Sequence, residues 1–128
     1  MTVPQGFPQN RHSPTYDLVE VQRVIRLAVV HRQRASRQIV ARLGVSEPEA
    51  ERLARAKVGA LRPENFAKPE VLDYDPPIRA DVYGLNDEDG NWYIKFFMEH
   101  GRVTIISCHG PKEDLVCISG LVVKEQQP

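Results

Sequence analysis

The chain has 128 residues, of which 41% are hydrophobic and 27% charged, and its formal net charge is zero. That is enough for one domain with a buried core, and no apolar run approaches the ~20 residues that cross a bilayer. Two cysteines, Cys108 and Cys117, exclude a disulfide scaffold and a zinc-ligand spacing, so both are expected to be reduced.

The neutral total hides an asymmetry. Residues 1–63 hold 11 Lys/Arg against 5 Asp/Glu, and residues 64–128 hold 6 against 12. A basic N-terminal half can give an electrostatic footprint for phosphates. Well-solvated Arg-rich helices look the same.

MTVPQGFPQNRHSP has three prolines and no secretory h-region. Residues 1–14 are therefore expected to be a flexible arm, residues 15–128 a single domain, and the location cytoplasmic. From Tyr16, the residues Leu18, Val21, Ile25, Leu27 and Val29 recur at helical spacing, with Thr15 or Asp17 as cap. HRQRAS is a polar break with room for a short extended piece. Ser36 is expected to cap a second helix that Gly44 ends. Ser46, Pro48 and Glu49 predict the start of a third helix with a capping box, and acids in its first turn suit the helix dipole. Leu53, Ala56 or Lys57, and Ala60-Leu61 carry its inner face.

RPENFAKPEVLDYDPP has four prolines in sixteen residues and is expected to be a loop. IRADVYGL then reads as a strand, NDEDG as a turn, NWYIKFFMEHGRVTIISCH as a hairpin, and LVCISGLVVKE as at least one further strand. Helices followed by strands predict an α+β fold, with N-terminal helices packed on one face of a C-terminal antiparallel sheet. The helix–Gly–helix of residues 36–58 also suggests a helix-turn-helix DNA reader. Glu47, Glu49 and Glu51 would stand where phosphates approach, which disfavours that reading.

The hairpin carries the chemistry-bearing residues, and its faces depend on its turn. A two-residue His100-Gly101 turn sets Tyr93 against Cys108. A three-residue Glu99–Gly101 loop sets it against Ser107, with His109 on the same face. The longer loop is expected. It makes Trp92, Ile94, Phe96 and Met98 the core face with Thr104, Ile106 and Cys108. Tyr93, Lys95, Phe97, Val103, Ile105, Ser107 and His109 then share the other face. A titratable His beside a Tyr and a Lys is a set for acid–base work, although such residues on a strand are also common as solvated surface.

The ordered segments PTYDLVEVQRVI, ARLGVSEPEAERLARAKVGALRPENFAKP, ADVYGL, NWYIKFF and VTIISCH resemble the MqsR family of bacterial toxins, over about residues 14 to 110. The residues that carry the resemblance are Leu61, Asn65, Phe66 and Lys68, then Asp81, Val82 and Tyr83, then Tyr93, Ile94 and Lys95, and finally Ile105 to His109. The resemblance implies a RelE-like fold and a toxin that cleaves single-stranded mRNA without a metal or other cofactor. It also implies a cognate antitoxin protein that blocks it. It assigns catalysis to Lys68, Tyr93 and His109. Arg79, Tyr83 and Lys95 are the expected substrate contacts, to phosphate or to an unpaired base. Ala80 stands where the family has Gln, and His109 where it has Lys. These departures motivate the alternative of a non-catalytic RNA- or protein-binding module on the same fold. Residues 110–128 form a C-terminal extension past the usual family end, able to lengthen the sheet, cover it, or pair with a partner.

Overall fold

A computed structural model describes residues 13–126. The arm expected over residues 1–14 therefore lies almost wholly outside the described residues. The elements run α1 (Leu18–Val24), β1 (Val29–His31), α2 (Gln33–Leu43), α3 (Glu47–Ala60), a 3-10 turn (Pro63–Asn65), β2 (Phe66–Leu72), β3 (Ile78–Asp87), β4 (Gly90–Glu99), β5 (Arg102–His109), β6 (Leu115–Val116) and β7 (Val122–Val123). The plan is α+β, with helices packed against a five-stranded sheet of order β1-β5-β4-β3-β2.

The sheet is mixed rather than antiparallel. Val29–His31 pairs in parallel with Val103–Ile105, so one strand precedes α2. The first helix is correspondingly shorter than its periodicity predicts. It buries Leu18, Val21 and Val24, then stops, and Leu27 is left 76% exposed. Asp17 is its N-cap but makes no side-chain cap bond. The entry to α1 is held instead by Asp81, whose carboxylate accepts the Thr15 and Tyr16 N–H groups at 2.9 and 3.0 Å.

Local signals set the other helices. Gly44 ends α2 at φ 69° and Ser46 Oγ accepts the Glu49 N–H at 3.2 Å. The capping box is half formed, because the Glu49 carboxylate pairs with Arg52. Ser36 is not a cap. It is buried within α2 and donates to the Gln33 carbonyl.

The proline-rich segment contains a strand, β2, contrary to expectation. It lies at the sheet edge, where Pro69 removes no bond that another strand needs. The helix-side core joins Trp92, Ile94, Phe96, Val103, Ile105 and Cys108 to α1, α2 and α3. The opposite face is partly covered by the C-terminal extension. Leu115, Cys117 and Val123 pack there on Ala67, Val82 and Tyr93. A Cβ on Gly84 would come within 2.8 Å of Val123 Cγ2, so this glycine is what lets the extension approach. Of the three roles open to the extension, covering the sheet is the one observed.

Candidate active site

The β4–β5 turn has two residues, His100 and Gly101, both at positive φ (54° and 71°), and Glu99 pairs with Arg102. The expected three-residue loop is absent. A two-residue turn would normally put Tyr93 and His109 on opposite faces. A β-bulge intervenes: Phe96 pairs with Ile105, but Lys95 pairs with Ser107, and Ile106 is the extra residue. The phase of β5 flips at that point. Val103 and Ile105, not Thr104 and Ile106, enter the helix-side core, and Tyr93 stands directly opposite His109.

The two rings stack at 4.8 Å between centroids and 11° between planes. His109 Nδ1 lies 2.7 Å from the Gly110 carbonyl oxygen. A carbonyl only accepts, so Nδ1 carries the proton and Nε2 keeps the lone pair. Burial lowers the His109 pKa below 6.5; the Gly110 contact opposes this, and the charges of Lys112, Arg34 and Lys95 reinforce it. The ring is thus neutral at physiological pH. Tyr93 moves the other way. Burial and the Glu70 carboxylate hold its proton well above the ordinary tyrosine range.

Glu70 is the hub of this face. Its two oxygens accept from Tyr93 Oη at 3.3 Å and from Lys95 Nζ at 3.2 Å. It pairs with Ala80 across the β2–β3 ladder. Lys95, at 14% side-chain exposure, is therefore tied to Glu70.

A cleft of about 600 Å³ opens over the stacked pair, lined by Arg34, Lys68, Tyr93, His109 and Lys112, with Glu113 to Val116 on one wall. Lys68 reaches it because a bulge at Ala67 turns it to the face of Val82. Arg34 reaches it because α2 docks beside the end of β5. There β1 has already ended, and Gln38 Oε1 takes the Cys108 N–H at 2.8 Å in place of a strand.

The structure thus brings together the three expected catalytic residues, Lys68, Tyr93 and His109. It does not bring Arg79 and Tyr83 to them. Both lie on the helix-facing side of β3, in alternation with Val82, and Tyr83 packs between Phe66 and Phe96. Cys108 also faces the helices, and its thiol is pushed up to about 12, chiefly by burial. It is no nucleophile beside His109.

Sequence reading missed Arg34, Glu70 and Lys112. Glu70 was findable: Lys68 and Glu70 alternate as strand residues do, once Pro69 is allowed on an edge. Among the described residues, no group of three His, Cys, Asp or Glu side chains is arranged to hold a metal ion. No helix among them is long and apolar enough to cross a membrane. No protein-family model matches the chain, and no curated protein matches it in sequence.

Proposed function

We propose that the protein is an endoribonuclease that cleaves single-stranded RNA by 2′-OH transphosphorylation. The observation that carries this reading is the neutral His109, stacked on Tyr93, with Nε2 available in a cleft lined by three cationic side chains. His109 Nε2 takes the proton of the 2′-OH, and the 2′-oxygen attacks phosphorus. Lys68, Arg34 and Lys112 stabilise the charge gathered on the phosphorane oxygens. The P–O5′ bond breaks, and the Tyr93 phenol supplies the proton that the 5′-oxygen needs. The products are a 2′,3′-cyclic phosphate and a 5′-hydroxyl. Tyr93 then recovers a proton from solvent, and His109 releases the one it took. Glu70 and Lys95 orient the phenol, with Glu70 standing opposite the alanine where the resembling family has Gln.

The ordered motifs support a narrower reading: a toxin of MqsR type on a RelE-like fold, acting on mRNA without a metal and held in check by an antitoxin protein. The decisive experiment incubates the purified, folded protein with single-stranded RNAs of varied sequence in EDTA. Cleavage leaving 2′,3′-cyclic phosphate ends is the expected result. Intact RNA across the whole panel removes the enzyme reading. A second reading, a non-catalytic RNA- or protein-binding module, is favoured by the Tyr93 hydroxyl already donating its proton to the Glu70 carboxylate. Growth inhibition on expression that survives substitution of Lys68, Tyr93 and His109 by Ala would select it.

A further inference from the structure

A second cleft, of about 810 Å³, lies on the other side of β2, between the start of α1, the 3-10 turn and the β6–β7 hairpin. Pro14, Tyr16, Pro63 and Ile118 give it an accessible apolar lining, the rings of Phe66 and Tyr83 are buried behind it (3% and 1% exposed), and Asp17, Glu64 and Ser119 stand among its lining residues. We propose that this cleft is a docking site for a basic polypeptide segment of a partner protein, which lays an arginine side chain along the apolar lining with its guanidinium toward Asp17 and Glu64.

The chemistry points to a cation with an apolar stem. The half-buried Tyr16 ring can meet a guanidinium, and the methylene stem covers apolar surface. The carboxylates supply the complementary charge. Tyr83 senses Asp17 and the buried Asp81 behind it, for both hold its hydroxyl proton in place after burial itself. Arg79 offsets Asp81, so the charge presented to a ligand comes from Asp17 and Glu64. Glu64 already holds Arg62 at 3.2 Å, with side chains 51% and 74% exposed. So open a pair is worth little, and an incoming guanidinium can displace it. Continuing from the cleft wall, Ile118 is 48% exposed and Leu121 42%, which gives apolar residues flanking the arginine a surface to meet. RNA suits this cleft less well, because every nucleotide brings a phosphate toward the carboxylates.

The probe is the capped peptide acetyl-Gly-Leu-Arg-Leu-Gly-amide, titrated into the full chain and followed by amide chemical shifts. Its control replaces arginine by citrulline, which keeps the shape and removes the charge. The expected result is saturable, millimolar binding with shifts at Tyr16, Asp17 and Ser119, absent with the citrulline peptide. Asp17→Asn and Glu64→Gln should each weaken binding about fivefold, and Arg62→Ala should strengthen it by a similar factor. These positions are exposed, and Asp17 makes no side-chain cap bond, so the variants fold. Equal binding of the citrulline peptide, no saturable shift, or indifference to Asp17→Asn would each overturn the proposal. So would a single-stranded RNA that shifts the same residues at lower concentration. Loss of RNA cleavage is not a readout here, so this test and that of the enzymatic reading fail separately.

Discussion

Tyr93 and His109 face each other across β4 and β5 only because Ile106 is squeezed out of the ladder. Their stacking at 4.8 Å joins a phenol that keeps its proton to a neutral imidazole that is protonated on Nδ1 and bare on Nε2. For the proposed cleavage this sets a pH dependence. The base form of His109 persists to lower pH than for an ordinary histidine, because its pKa is depressed below 6.5. The acid limb of the kcat/KM profile should therefore fall below pH 6.5. His109→Ala should lower kcat by about 100-fold or more. Tyr93→Phe, which keeps the stacked ring, should lower kcat with little change in the melting temperature. An acid limb unmoved in His109→Ala would assign the titration to another group.

Acid should also weaken the fold through its half-buried histidines. Burial depresses His31 as well as His109. Between the folded and the unfolded pKa, the unfolded chain binds more protons. Stability is thus fully present above 6.5 and is lost as pH falls through the folded values. Chemical denaturation between about pH 7 and 5 should show this decline. His109→Gln and His31→Gln should each flatten it.

The turn that sets the hairpin offers a cleaner backbone test. His100 adopts φ 54° and Gly101 φ 71°, the two positive angles of a type I′ turn. Nothing lies within 4 Å of a Cβ placed on Gly101. Gly101→Ala therefore costs only backbone strain, about 1 kcal/mol. His100→Asn creates the preferred Asn-Gly pair and should gain a few tenths of that. Thermal melts of the two variants should move in opposite directions.

Signals contained in a few adjacent residues were legible in the sequence. Gly44, Ser46 with Pro48, the NDEDG turn and the alternation of Trp92, Ile94, Phe96 and Met98 each act through near neighbours. What escaped depends on distant partners. Val29–His31 is a strand only because Val103–Ile105 lies beside it. Pro69 is tolerated because β2 has a neighbour on one side alone. The bulge at Ile106 has no glycine or proline to mark it. The expectation that Tyr93 and His109 share a face was met by a different mechanism from the one inferred, with two corrections of phase cancelling. Arg34 entered the site through the docking of α2, which no local pattern encodes.

Gly84 should be the most sensitive position under the C-terminal extension. A methyl group there would meet Val123 at 2.8 Å and Leu115 at 3.0 Å. Overpacking of this kind costs about 1–3 kcal/mol, or else the extension lifts off. Gly84→Ala should accelerate proteolysis within residues 110–126. It should also disturb the candidate site, whose wall runs from Lys112 to Val116. Adding Val123→Ala makes room for the methyl group and should restore part of the protection. A double variant no better protected than Gly84→Ala would mean that the contact is not what seats the extension.

Lys57 carries the last prediction. It is 4% exposed and donates to Asp87 at 2.7 Å and Asp89 at 2.9 Å, with its ammonium 4.5 Å from the Trp92 ring centre. Burial works to lower its pKa, and the two carboxylates more than reverse this, so the net shift is upward. A raised lysine stabilises fully below its unfolded value of 10.5, and that contribution is lost as pH rises through the folded value. Alkaline unfolding should therefore be sharpened by this group. Lys57→Met keeps the stem but takes away the cation that both Asp87 and Asp89 bind, leaving only the more distant charge of Arg42. Breaking such a pair costs about 3 kcal/mol, the lower end of the usual range, because Asp89 is still 27% exposed. Adding Asp87→Asn and Asp89→Asn should return much of the loss by removing the stranded charges. Urea denaturation of the single and triple variants measures both steps. If the triple variant is no more stable than Lys57→Met, the cluster acts through packing on Trp92 rather than through charge.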